Sequence, residues 1–181
     1  MSLIVENGTI VAGAESYISV ADADTYFTNR GNATWAALTT EVKEQLLRKS
    51  TDYLVQAYRT KWSGYRVSAE QTLDWPRNFV IREDFQAAQL NGFQMIGGNY
   101  YYANNIVPTE VKTACAEMAV KANSGDLSPD LSRKTTREKV DSLEVEYSEY
   151  GVEYVRYRAI DNLLAPFIDG GGSGAIRKVL R

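Results

Sequence analysis

Histidine is missing from all 181 residues of this chain. Without it the usual general base near neutral pH and the commonest metal ligand are both gone. The single cysteine, Cys115, can form no internal disulfide and cannot build a cysteine zinc site. Metal-dependent, Ser-His-Asp and Cys-His chemistry are therefore not expected. No catalytic, cofactor-binding or metal-binding residue is assigned, and the chain is read as a non-enzyme. Excess basic charge is also lacking: 20 Lys and Arg face 23 Asp and Glu, for a net charge of −3. That leaves no global electrostatic footprint for nucleic acid, so any DNA contact has to be local. No apolar run approaches the ~20 residues that cross a bilayer, and no membrane partner is expected. The opening MSLIVENGTIV has neither the basic start nor the long apolar segment of a secretory signal. A soluble protein of a reducing compartment is the expectation.

What is present suffices for one core. Hydrophobic residues make up 44% of the chain, enough for a single domain with appended ends. The stretch from Glu41 to Trp62 carries Val42, Leu46, Tyr53, Leu54, Ala57 and Tyr58 at helical spacing. Lys43, Glu44, Lys49, Asp52 and Gln56 fall mostly on the opposite side. Thr40 is placed as its N-cap, with Glu41 and Glu44 at the positive end of the dipole and Arg59 and Lys61 at the negative end. This is the scaffold helix.

Around it the chain divides into three parts. Residues 1–18 read as an N-terminal arm, with Asn7-Gly8 between short apolar runs as a hairpin signal. Residues 19–169 form the body. Ser19 opens a helix with Asp22 as a capping-box variant, Val20, Ala23 and Phe27 face inward, and Gly31 closes it. Trp35, Ala36 and Leu38 lie in a link. Pro76 makes Leu73 to Arg77 a non-helical segment, and residues 78–105 read as irregular, with a helical turn at Asp84 to Leu90. Pro108 starts a further helix whose buried stripe, Val111, Ala114, Cys115, Met118, Ala119 and Ala122, is narrow enough to pack closely on the scaffold helix. From Leu143 the period changes to two, which predicts a β-hairpin near 140–157 with its turn at Gly151. Asp161 to Ile168 reads as a short helix broken by Pro166. Residues 170–181 are a Gly-rich tether and a terminal docking peptide. The fold class is thus mainly α: a small bundle of three to five helices with an inserted β-hairpin, an arm and a flexible tail.

Three groups of residues invite a functional reading. Gly170 to Gly174 lacks the Lys-Ser/Thr of a phosphate loop and serves better as a tether. Glu144, Glu146, Glu149 and Glu153 resemble an acid/base group, but strand alternation puts Glu144 and Glu146 on a solvent face. There they discourage wrong edge pairing or repel phosphates. Trp75, Tyr100, Tyr101 and Tyr102, with Arg77 and Arg82, form either a platform for stacking single-stranded bases or the aromatic anchors of a protein interface. The absence of basic excess favours the interface. A second candidate interface comprises Leu143, Val145 and Tyr147 on the hairpin and Ile176, Val179, Leu180 and Arg181 in the tail.

Four separated stretches carry a resemblance: the segment Ala14 to Phe27 (AESYISVADADTYF), Gln71 to Arg77 (QTLDWPR), Val107 to Lys112 (VPTEVK), and the Gly-rich link into Ile176 to Arg181. Together they resemble a tailed-phage family labelled DnaT-like single-stranded-DNA-binding proteins, which in turn is similar to the small helical head–tail connector (adaptor) proteins of phage virions. The resemblance implies a structural connector of the virion. It would form a ring of about 12 copies below the portal, extend the DNA channel and dock the tail or neck protein. DNA would pass through the lumen without sequence-specific binding, and no cofactor is implied. The alternative the family label implies is a single-stranded-DNA-binding protein using Trp75, Arg77, Tyr100, Tyr101 and Tyr102.

Overall fold

The computed structural model describes residues 2–82, 89–90, 93–94, 101–129, 137–140, 143–146 and 155–169. Within them the protein is mainly helical, as the periodicity predicts. The scaffold helix α3 spans Thr40–Tyr58, after α1 at Val20–Thr28 and α2 at Ala33–Ala36. Leu46, Leu47, Ser50, Thr51, Leu54 and Tyr58 form its buried face. Thr39, not Thr40, is the cap, its hydroxyl accepting the Val42 N–H at 3.4 Å. The helix ends short of Trp62. Lys61 N–H bonds the Tyr58 carbonyl at 2.8 Å, a three-residue closure that tightens the last turn. Arg59 then leaves the axis to meet Asp74 at 2.9 Å.

Lys43 departs from the expected solvent face and is buried. Its ammonium sits 2.9 Å from Asp24 and above the Trp35 ring, so the aliphatic stem covers core while the charge keeps a partner. Trp35 itself lies in α2, a single turn where the sequence suggested only a link. Asn32 caps that turn through the Trp35 N–H at 3.0 Å. Ser19 and Asp22 form the expected reciprocal cap of α1: the Asp22 N–H donates to Ser19 Oγ at 3.0 Å, and that hydroxyl donates back to the carboxylate at 2.8 Å.

α4, Thr109–Ser124, packs on α3 and buries Val111, Ala114, Cys115, Ala116, Met118 and Ala119. The small residues permit the close approach expected of them. Cys115 Sγ lies 3.1 Å from Ser50 Oγ and 3.3 Å from Thr51 Oγ1. α5, Arg158–Leu164, runs into a 3-10 turn at Ala165–Phe167 that accommodates Pro166 at its start. Ile160, Leu164 and Phe167 close the core from that side.

The arm takes no antiparallel hairpin at Asn7-Gly8. Val5 bridges Ser16 in parallel, and the intervening loop winds around the buried Glu6 carboxylate. That carboxylate accepts the N–H groups of Gly8, Ile10 and Val11 at 2.7, 3.1 and 2.9 Å. Gly8, at φ +107°, could not carry a Cβ, which would fall 2.1 Å from the Asn105 carbonyl oxygen. Ala14 and Tyr17 belong to the core.

Antiparallel strand pairs complete the described structure. β1, Tyr65–Arg66, pairs with β2, Arg77–Asn78. β3, Gln89–Leu90, pairs with β4, Phe93–Gln94, so Gln89 and Leu90 are strand and not the helical turn expected there. β5, Arg137–Val140, pairs with β6, Leu143–Glu146. The expected hairpin includes Leu143–Glu146, with a partner strand before it across residues 141–142, while 155–157, expected in the second strand, are not in a strand. The register sets Lys139 opposite Glu144 and Arg137 opposite Glu146. Residues 147–154, with Gly151, lie outside the described residues.

Candidate functional site

Trp75 is fully buried. Its ring meets Trp62 edge-on at 5.8 Å and Phe167 edge-on at 5.5 Å, the arrangement favoured by aromatic quadrupoles. Arg77 is 6% exposed. Its guanidinium donates to the carbonyl oxygens of Ser63 (2.8 Å), Gly64 (2.7 Å), Trp62 (3.3 Å) and Asp74 (3.3 Å). Burial pulls the Arg77 pKa down, and the nearby Asp74 carboxylate works against that shift. Asp74 is itself buried and holds the Arg59 guanidinium, while its N–H donates to the Tyr17 hydroxyl at 3.1 Å. Burial, with Asp74 beside it, keeps Tyr17 protonated far above the usual tyrosine range.

Trp75 fills the core and Arg77 brackets the 62–64 turn to β2, so neither is displayed on the surface as the stacking set expects. A guanidinium shared among four carbonyl oxygens cannot also neutralise phosphate without stranding buried acceptors.

The bracket instead displays the segment beyond Asn78. Gly64, at φ +66°, lets the turn come so close to β2 that a Cβ there would lie 2.1 Å from the Asn78 carbonyl oxygen. From Phe79 onward the side chains alternate. Val80 is buried, while Phe79 is 65% exposed and Ile81 is exposed beside it. Phe79 adopts φ +61°, a left-handed conformation that costs a bulky residue about 1–2 kcal/mol. The chain here tolerates backbone strain and hydrophobic exposure at the same residue. Tyr101 bridges Ile81, and its ring stands edge-on to Phe79 at 6.0 Å and 85°. Tyr65, 73% exposed, lies on β1 opposite Asn78.

Behind this ledge, the Tyr102 N–H bonds the Val80 carbonyl at 2.9 Å and the Tyr102 ring packs on Phe167 at 5.1 Å. The Arg82 guanidinium lies 4.7 Å from the centre of that ring. Asn104 Nδ2 donates to Asn78 Oδ1 at 2.9 Å. Between the 78–82 and 101–104 segments lies a hollow of about 290 Å³.

Of the sequence-derived candidates, Tyr101 and Tyr102 thus reach a common site, while Tyr100 lies outside the described residues. Sequence reasoning missed Phe79, Ile81 and Tyr65. The signal was the run Asn-Phe-Val-Ile-Arg at 78–82, whose strand-like alternation was hidden inside a segment read as irregular. Leu143 and Val145 of the other candidate interface lie on β6. Tyr147, Ile176, Val179, Leu180 and Arg181 fall outside the described residues.

A second hollow, of about 520 Å³, opens between α3 and α5. There the Tyr58 hydroxyl donates to Asp161 at 2.6 Å and the Arg156 guanidinium donates at 2.9 Å. Partial burial pushes the Asp161 carboxyl up, but the Tyr58 and Arg156 donors together hold it below its ordinary value. Burial and the Asp161 carboxylate in turn raise the Tyr58 pKa. This network joins α3 to α5.

Among the described residues no group of three or more His, Cys, Asp or Glu side chains is placed to hold a metal ion, and no helix is long and apolar enough to cross a membrane. No curated protein and no solved structure matches the chain. One family model does, over residues 1–181, and its description is "Putative DnaT-like ssDNA binding protein". The exposed aromatic ledge thus belongs to a chain matched by that model over its whole length, and this protein is a member of the DnaT-like family.

Proposed function

We propose that this protein binds single-stranded DNA, without catalysis, on the ledge formed by Tyr65, Phe79 and Tyr101. The observation that carries the reading is the strained, exposed Phe79 set edge-on to Tyr101. Stacking on an aromatic side chain contributes about 1–3 kcal/mol per base and tolerates any sequence, because every base has a π face. Duplex DNA hides those faces, so single strands are selected. Arg66 is exposed on β1 and Arg82 flanks the hollow, which supplies the local cations that a net charge of −3 does not. Full-length protein should shift a fluorescent oligothymidylate in a gel at micromolar concentration, and the affinity should fall as salt rises. Absence of binding at low salt would remove this function.

A second reading is favoured by the net charge and by the burial of Arg77, which both reduce the basic character DNA binding needs. In it the protein is a structural connector at a tailed-phage head–tail junction, forming a ring below the portal, and the ledge meets protein. Aromatic and arginine anchors suit such contacts equally. Native mass spectrometry after mixing with portal protein separates the two: a ring-sized assembly with no oligonucleotide shift supports the connector.

A further inference from the structure

We infer that the hollow beside the ledge receives one unpaired base at a time and reads its edge, so that binding depends on bases and not on the sugar-phosphate backbone alone. This rests on the single-stranded-DNA reading and specifies what that site recognises.

The size comes first. About 290 Å³ is at the lower limit for small-molecule sites and admits one planar heterocycle, not a base pair. The walls come next. Phe79 and Tyr101 are nearly perpendicular, at 85°. A base lying flat on one ring therefore turns its own edge toward the face of the other, and both contacts are of the favoured aromatic kinds. A duplex end cannot enter such a corner without unstacking.

The polar groups point the same way. Arg82 is half withdrawn, stacked on Tyr102, and its Nε is buried with no hydrogen-bond acceptor among the described residues. A buried donor left unsatisfied costs about 1–3 kcal/mol, a cost that a ligand acceptor would remove. Base carbonyl oxygens and ring nitrogens are acceptors of the right kind. At the rim, the bond between Asn104 Nδ2 and Asn78 Oδ1 fixes both amides. With that bond made, the Asn78 amide still has N–H donors and the Asn104 amide a carbonyl acceptor, both on residues that line the hollow. Paired donors and acceptors of this sort recognise base edges in a bidentate manner. A site built only for phosphate would have no use for the aromatic corner or for an amide acceptor.

The test uses the full-length chain and fluorescence anisotropy with a labelled oligothymidylate of about 12 nucleotides. Competitors are the unlabelled oligomer, an abasic strand of the same length, and a duplex. The abasic strand and the duplex should compete at least about fivefold more weakly than the oligothymidylate, because one stacked base is worth at least that factor. Asn104→Ala, at an exposed position, should flatten the ranking of affinities among homopolymers of different bases. An abasic strand that competes as well as the oligothymidylate overturns the inference while leaving single-strand binding intact. An unchanged ranking in Asn104→Ala overturns the edge-reading part. Absence of binding to every oligonucleotide overturns both this inference and the function it rests on.

Discussion

Trp75 and Phe79 stand on either side of Arg77 in the sequence and meet opposite fates. Trp75 is fully buried between Trp62 and Phe167; Phe79 is 65% exposed in a left-handed conformation. The arginines beside them divide in the same way. Arg77 spends its guanidinium on four backbone carbonyl oxygens, whereas Arg82 lies on a tyrosine ring at the mouth of a hollow. The comparison teaches that an aromatic–arginine pattern has two uses, one that fixes a turn and one that the fixed turn displays. What separates them is where the backbone acceptors of residues 62–64 are found, which is a tertiary fact.

Substitutions on the two sides should behave differently. The largest effect belongs to Trp75→Ala, which removes a fully enclosed ring and should lower stability by about 3–5 kcal/mol in chemical denaturation. Arg77→Ala comes next, at about 2–3 kcal/mol, since it leaves buried carbonyl oxygens without donors. Arg77→Lys should not restore the loss, because an ammonium cannot reproduce the planar fork. Phe79→Gly should change stability by less than about 1 kcal/mol, since relief of the left-handed strain offsets the lost ring contact. If Phe79→Gly unfolds the protein, or Trp75→Ala leaves it unaffected, the division between core and ledge is wrong.

A smaller effect sharpens the comparison by pH. Despite partial burial, the Asp161 carboxyl has a native pKa held below its ordinary value of 3.8 by Tyr58 and Arg156. Its contribution to stability is therefore full above that ordinary value and is lost as pH falls through the depressed native value. Asp161→Asn should flatten the acid limb of a thermal denaturation profile taken through this window, and Phe79→Gly should leave that limb as in the parent. A ledge variant that alters the acid limb would tie the two regions together.

Much of the fold was legible because burial on a helix repeats about every 3.6 residues. The faces of α1, α3 and α4 and the Ser19–Asp22 cap come from spacing alone. Lys43 escaped because a long cationic side chain can bury its stem wherever a carboxylate such as Asp24 waits, and that partner comes from another helix. The strand partner of Leu143–Glu146 escaped because Arg137–Val140 is charged at three of its four positions and lacks the apolar alternation that marks a strand. At the site, Tyr101 and Tyr102 were legible as exposed-loop aromatics. The burial of Trp75 and Arg77 was not legible because the bracket ties Arg77 to Gly64, 13 positions earlier, and local patterning carries no trace of that contact. Phe79 was hidden because its exposure runs against the tendency of phenylalanine to be buried.

The most direct measurement is the affinity of a fluorescent oligothymidylate for Phe79→Gly and Tyr101→Ala, each checked for an unchanged melting temperature. The account predicts at least about fivefold weaker binding for each variant, the equivalent of one lost stacking contact. Affinity equal to that of the parent protein in both variants would contradict it.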